Sequence, residues 1–297
     1  MATRVRPFGA ANLALELGGV MAGTLRSWLP PSYRINPINA ADGQTVLRAG
    51  RVVSLGPLAA EVNLLENGPL LDWLMSLPRE TLPAQAGAVL VLDLNQAARR
   101  RVDFGDSLVT ELSLPRLSAT SGKQPFSVGV VWRAATLTDN PGSGKKLVLG
   151  KPKGKGVLCS NFRVQGLPFD ASFITDVGLP TVRGQASSSE SRLPARRYAA
   201  VDHGELSLRL LARSADEALA WVRKTLADGR LDDSKYLDLT VELLDPSLKN
   251  VLLVVSLKGC GLLACDEARI DTSVDTVGGV TLRFGVERVE MMFSGGA

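Results

Sequence analysis

A chain of 297 residues, 45% hydrophobic and 22% charged, is long enough to bury two ordinary cores and too apolar to be disordered. Its net charge of +4, single histidine and three cysteines argue against a nucleic-acid footprint, a disulfide framework or a histidine-rich metal centre. No apolar run reaches the roughly 18–20 residues of a membrane helix, and no secretory signal is legible, so cytoplasmic folding without membrane insertion is expected.

In chain order, residues 12–17 and 24–28 read as strands, and the Pro/Asn/Gly-rich stretch 30–43 reads as a loop. A strand at 58–65 leads into Asn67-Gly68-Pro69, a helix start. Leu70, Leu71, Leu74 and Leu77 follow at helical spacing, and Pro78 stops the helix. Strands are predicted over 88–94, 99–104, 108–114 and 126–137.

The stretch 140–156 holds Pro141, Pro152 and five glycines, with Lys145, Lys146, Lys151, Lys153 and Lys155 among them. It suits neither a long helix nor a central strand and reads as a linker or exposed hairpin. It divides the chain into a first domain, 1–140, a linker, 141–156, and a second domain, 157–297.

Beyond it, strands are predicted at 161–164 and 171–175. A polar loop over 183–197 is followed by a strand at 206–211. Ser214-Ala215-Asp216-Glu217 has the spacing of a capping box, and Ala215, Ala218, Leu219, Val222 and Leu226 make one apolar helix face. Residues 237–243 alternate strictly between apolar and polar, the pattern of a strand with one wet face. Strands at 251–257, 262–270 and 280–292 complete the set, and a shift of phase at Val289 predicts a bulge in the last.

The two halves repeat one order: strand, strand, long loop, strand, helix, then four strands. Trp73 matches Trp221, Asp93 matches Asp245, and 126–132 matches 280–286, at a shift near 150 residues. The fold class expected is mainly β (α+β), with two tandem β-barrel or sandwich domains carrying one short helix each.

Motifs for chemistry fail on inspection. The run Asn140-Pro141-Gly142-Ser143-Gly144-Lys145-Lys146 lacks the first glycine of a phosphate loop, because Asp139 stands there, and Lys146 replaces the magnesium-binding hydroxyl. His203, in Asp202-His203-Gly204-Glu205, reads as an exposed turn residue without a nucleophile elbow. Cys159, Cys260 and Cys265 read as small core residues without metal-ligand spacing. Asp266 and Glu267, neighbours on a strand, point to opposite faces. Arg99, Arg100 and Arg101 form a short basic run that suits a partner contact or a blunted strand edge. No enzyme, no cofactor and no metal are expected.

The segment 65–135 resembles the tail-tube proteins of contractile phages and related injection systems. Leu70-Leu71-Asp72-Trp73-Leu74 resembles the family helix, Val89-Leu90-Val91-Leu92-Asp93 its apolar strand, and Arg101-Val102-Asp103-Phe104 the next strand. Leu112-Ser113-Leu114-Pro115 matches the proline-bearing segment, and 126–132 the closing strand. In the second half the nearest match is Leu239-Thr240-Val241-Glu242-Leu243-Leu244-Asp245. There the proline-bearing strand has no counterpart proline, and Arg133 stands where the family's closing strand usually carries Glu.

The resemblance implies a structural subunit made in the bacterial cytoplasm for a phage tail or tail-like particle. It implies self-association into a ring around a channel, as a trimer of pseudo-sixfold shape or a hexamer. The partners implied are neighbouring tube, sheath, baseplate or spike proteins, with nucleic acid only as channel cargo. Lys145, Lys146, Lys151, Lys153, Arg99, Arg100 and Arg101 are the candidate inter-subunit contacts. The alternatives kept open are a baseplate hub or adaptor between tube and spike, and a β-barrel module that binds a small ligand.

Overall fold

A computed structural model describes residues 12–38, 48–64, 68–81, 85–147, 156–186, 198–211, 215–227, 236–267 and 279–294. The described residues are mostly strand. In the first half β1 (Asn12–Leu17) and β2 (Val20–Leu29) form a hairpin, followed by β3 (Tyr33–Ile38), β4 (Arg48–Leu55) and β5 (Leu58–Asn63). The helix α1 (Pro69–Met75) precedes β6 (Gln85–Leu92), β7 (Ala98–Ser113), β8 (Arg116–Ser118), β9 (Ser127–Arg133) and β10 (Thr136–Pro141). The second half has β11 (Phe162–Gln165), β12 (Ile174–Gly178), β13 (Thr181–Ala186), β14 (Tyr198–Asp202) and β15 (Glu205–Leu211). After α2 (Ala215–Ala227) come β16 (Leu237–Leu244), β17 (Val251–Glu267), β18 (Gly279–Gly285) and β19 (Arg288–Phe293).

Six strands of the first half close on themselves in the order β7-β6-β1-β2-β5-β9 and back to β7. Among the described residues, closure leaves edges only where β7 and β2 run past their ring neighbours. The long β7 makes it possible, because β6 lies on one edge while β10 and then β9 follow each other along the other. The second half has the same order, β17-β16-β11 on one side and β17-β18-β15-β12 on the other. Its ring stays open, since β11 and β12 do not pair.

The two sets agree in detail. The β6–β7 ladder slips between Gln85 and Gly87 and between Val91 and Leu92, and β16–β17 slips between Leu237 and Leu239 and between Leu243 and Leu244. The β7–β9 ladder is bulged between Val109 and Glu111, and β17–β18 between Leu262 and Ala264. A bulge kinks a strand and strengthens its twist, as a strand shared between two directions of a curved sheet requires.

The helices pack on these sheets at matching points. In α1, Pro69 occupies the first turn and the Ser76 hydroxyl donates to the Trp73 carbonyl at 2.6 Å. A seven-residue helix is unstable alone, so packing has to hold it. Leu70, Leu71, Trp73, Leu74 and Met75 are all buried, and Trp73 meets Trp132 edge to face at 5.5 Å. In α2, Trp221 stacks on Phe284 at 6.3 Å and touches Phe169 at 5.9 Å. Phe284 opposes Leu262 in its ladder as Trp132 opposes Val109. Asp216 and Glu217 in the first turn and Lys224 in the last complement the dipole of α2.

Asp93 and Asp245 end β6 and β16 and tie the following turns. Asp93 Oδ1 accepts the backbone N–H groups of Asn95 and Ala97, both at 2.9 Å. Asp245 Oδ1 accepts those of Ser247 at 3.0 Å and Lys249 at 3.3 Å. The bond from the Ala97 N–H, with help from Arg99, holds the Asp93 carboxyl below its usual range. Hydrogen bonds from Ser247 and Asn250 do the same for Asp245.

Several expectations need correction. The strands predicted at 99–104 and 108–114 are one strand, β7, and those at 251–257 and 262–270 are joined in β17, which runs to Glu267. The interval between the first pair looked like a turn because it holds Gly105-Asp106, and Asp106 does take a left-handed φ of +46°, but the ladder to β6 slips there and resumes at Ser107, so the strand continues through a bulge. The predicted loops 30–43 and 183–197 contain β3 and most of β13, and the rest of each falls largely outside the described residues. The predicted strands 126–137 and 280–292 each divide in two, so the phase shift at Val289 marks a break rather than a bulge. The first part of the presumed linker is tied to the fold. Lys146 bridges Ala97, and the Ala98 N–H donates to the Lys145 carbonyl at 3.1 Å. Ser214 of the capping box lies outside the described residues.

Candidate assembly surface

The two halves exchange strands. From the first half, β8 joins the second sheet by pairing with β12, placing Leu117 opposite Val177. From the second half, β13 joins the first sheet by pairing with the end of β7, placing Thr181, Val182 and Arg183 opposite Ser113, Leu112 and Glu111. Leu112, Leu117, Val177 and Val182 are fully buried, and most of the buried apolar residues of both halves form one connected cluster, apart from a small group of Ala14, Leu90, Leu92 and Ala98. At about 1.5–3 kcal/mol for each such side chain, this seam is a substantial part of the core.

Polar contacts fix its register. The Tyr198 hydroxyl donates to the Val109 carbonyl at 2.7 Å, and burial raises the phenol pKa. Arg183 meets Glu111 at 3.1 Å, and Arg116 meets Asp176 at 3.1 Å. Both arginines are more than half exposed, so these pairs add specificity more than stability. Residues 157–159 run beside 124–126, with the Phe126 N–H bonded to the Val157 carbonyl at 2.8 Å and the Cys159 N–H to the Gln124 carbonyl at 2.9 Å.

Beside the seam the chain passes from β14 to β15 through Gly204. Its φ of +73° is left-handed, and a Cβ there would lie 2.6 Å from the Thr181 carbonyl oxygen. Gly56, between β4 and β5, stands at the matching place without the left-handed φ, and there too a Cβ would not fit. Its N–H bonds the Ser32 carbonyl at 2.7 Å, and a Cβ would lie 2.3 Å from the Ser32 hydroxyl. The β13–β14 and β3–β4 hairpins also agree in register, with Arg183 opposite Asp202 and Arg34 opposite Ser54. Ser32, Tyr33 and Arg34 therefore hold the places of Thr181, Val182 and Arg183.

The seven candidate contacts fall into three groups. Arg99 bonds Asp93 at 2.7 Å, Arg100 bonds Asp139 at 2.5 Å, and Arg101 bonds Glu16 at 2.7 Å and Asp103 at 2.7 Å. The Arg100 guanidinium also lies over the Trp28 ring, 5.6 Å from its centroid. Lys145 and Lys146 are exposed. Lys151 and Lys153 lie outside the described residues.

His203, expected to be an exposed turn residue, is buried at 9% exposure between β14 and β15. Burial lowers its pKa, opposed by the nearby Glu80 carboxylate. No group of His, Cys, Asp and Glu able to hold a metal occurs among the described residues. No described helix is long and apolar enough to cross a membrane. A groove of about 740 Å³ is lined by residues including Thr181, Glu205, Tyr236, Leu263 and Gly285.

The seam residues Val182, Leu117 and Tyr198 were not among the sequence candidates. The repeated glycine, two residues before Leu58 and before Leu206, is the sequence signal that could have marked them.

No family model and no curated protein matches the chain. Its neighbours among solved structures include a tube-terminating cap, a sheath/tube terminator and Hcp1. The tube-terminating cap of the anti-feeding prophage is 9% identical over 51% of this chain and 98% of its own, with a TM-score of 0.38. The sheath/tube terminator of an extracellular contractile injection system, PVC, is 14% identical over 44% and 93%, with a TM-score of 0.36. Hcp1 from Flavobacterium johnsoniae is 15% identical over 46% and 98%, with a TM-score of 0.30.

Proposed function

We propose that this chain is a structural, non-catalytic subunit of a phage-tail-like contractile injection machine. In this reading, residues 1–140 and 157–297 are two copies of one tube unit fused through 141–156. They assemble side by side into a ring around a channel that forms or initiates the inner tube. The carrying observation is the strand order found twice, with bulges at matching places, and a seam between the copies made by strand exchange. The likeness to solved structures covers about half of the chain and does not carry this reading.

A trimer of such chains has six units and pseudo-sixfold shape, and it meets the neighbouring tube, sheath or baseplate proteins through its two faces. The difference between the closed first ring of strands and the open second one favours a position where threefold and sixfold symmetry meet, as in a hub or adaptor, over the uniform body of a tube. Lys145 and Lys146 suit contacts between stacked rings. Arg99, Arg100 and Arg101 have carboxylate partners within the chain and suit such contacts less well.

Electron microscopy of the purified full chain tests the proposal. Rings or short tubes with a central channel are expected. A monomer at all concentrations, with a small molecule retained inside a barrel, would overturn it in favour of the ligand-binding module.

A further inference from the structure

We propose, resting on the side-by-side assembly above, that copies of this chain join by repeating the internal seam. Residues 32–34 of one copy add as a strand to the outer edge of β17 over 264–266 of the next. Ser32 then stands opposite Asp266, Tyr33 opposite Cys265 and Arg34 opposite Ala264.

The register follows from the internal match. Along β7, one edge carries β10 and β9, while the other carries β6 over 98–107 and then β13 over 111–113. Along β17, one edge carries β19 and β18, while the other carries β16 over 251–260. Over 261–267 this second edge has no strand partner among the described residues. It is the place that β13 fills on β7. The hairpin equivalent to β13–β14 is β3–β4, which pairs with no other described strand.

Surface chemistry agrees. At the internal seam Val182 and Leu112 are 0% exposed. Their counterparts are Tyr33, 58% exposed, and Cys265, half-buried. Leu263 beside the open edge and Leu29 on the β2 edge are also exposed. An unpaired strand flanked by large apolar side chains invites strand addition, and backbone hydrogen bonds would supply much of the affinity. The donor lies in the first half and the acceptor in the second, so the contact is head to tail. Such contacts close into a ring or run on as a filament, which selects a second copy of this chain as the partner.

The test is Tyr33→Cys in the full chain, relying on native Cys265 and oxidised under conditions that ionise its thiol, which burial and then Glu267 and Asp266 push above the usual value. Tyr33 is exposed, so the substitution leaves the core untouched. Disulfide-linked chains are expected on a non-reducing gel and should vanish in Tyr33→Cys/Cys265→Ser. Hydrogen exchange should also slow at 264–266 on assembly. Rings without the link and without this protection, or a link that survives Cys265→Ser, would overturn the inference and leave the tube reading standing. A chain that stays monomeric and unlinked would overturn both.

Discussion

The first half of the molecule closes its ring of strands and the second does not, although both use the same strand order. In the first half β1 and β2 form a tight hairpin through Gly18 and Gly19, both left-handed. In the second, residues 166–173 separate β11 from β12, and the free edge of β12 receives β8 from the other half. There β8 pairs with 176–178, the counterparts of 27–29 on β2 that β1 also leaves unpaired, so the exchanged strand extends the second sheet without closing its ring. The comparison shows that an open edge here is a place of joining, and the joint can be probed separately from the barrels.

The largest effect is expected at the joint. Val182→Asp buries an unpaired charge where Val182 packs in the seam with Leu112, and should cost at least about 3–5 kcal/mol in urea unfolding. It should also expose both halves to proteolysis at their connection. Equal protease resistance in mutant and parent would show that the halves do not depend on the seam.

The two helix anchors sharpen the same contrast. Trp73 is 1% exposed against Trp132, whereas Trp221 is only partly buried. Trp73→Ala should cost about 3–5 kcal/mol. Trp221→Ala should cost roughly 1–3 kcal/mol. Equal losses would mean that the two halves are tighter equivalents than their exposures indicate.

A smaller effect follows from Tyr198→Phe, which removes the hydroxyl bonded to the Val109 carbonyl and keeps the ring in place. A loss of about 1 kcal/mol is expected. The seam should loosen without separating, seen as faster hydrogen exchange along the end of β7.

The smallest effect is a pH dependence. The folded pKa of Asp93 and of Asp245 lies below the unfolded value. Each carboxylate therefore stabilises the fold fully above the unfolded pKa near 3.9, and the gain is lost as pH falls through the lower folded value. Asp93→Asn and Asp245→Asn should each flatten the acid limb of a stability–pH curve while changing little of its shape above pH 6. An unchanged acid limb would remove these turns from the account of acid stability.

Much of each barrel was legible in the sequence because the signals are local. The alternation over 237–243, the apolar run before Asp93 and the tryptophan in each helix report which face is covered. The length of β7 was not legible. Gly105-Asp106 has turn chemistry and Asp106 is left-handed, but pairing with β6 and β10 on either side carries the strand through it as a bulge. The strands β3 and β13 were hidden in the same way by Pro37 and Gly184. The seam itself was illegible for a different reason. Which strand edge takes β13 is a choice among distant segments, and local pattern does not encode register between them. Of the candidate contacts, Arg99, Arg100 and Arg101 carried a charge signal whose partners, Asp93, Asp139 and Glu16, lie on other turns and strands.

The seam within the chain also bears on how an assembly of such chains could start. Two units on one polypeptide meet at an effective concentration fixed by their tether, so that joint forms on folding and is indifferent to dilution. In a ring of these chains only every second joint would have to be found by diffusion. Nucleation would then depend on a lower power of protein concentration than for a ring of separate units, and dilution would release whole pairs rather than single units.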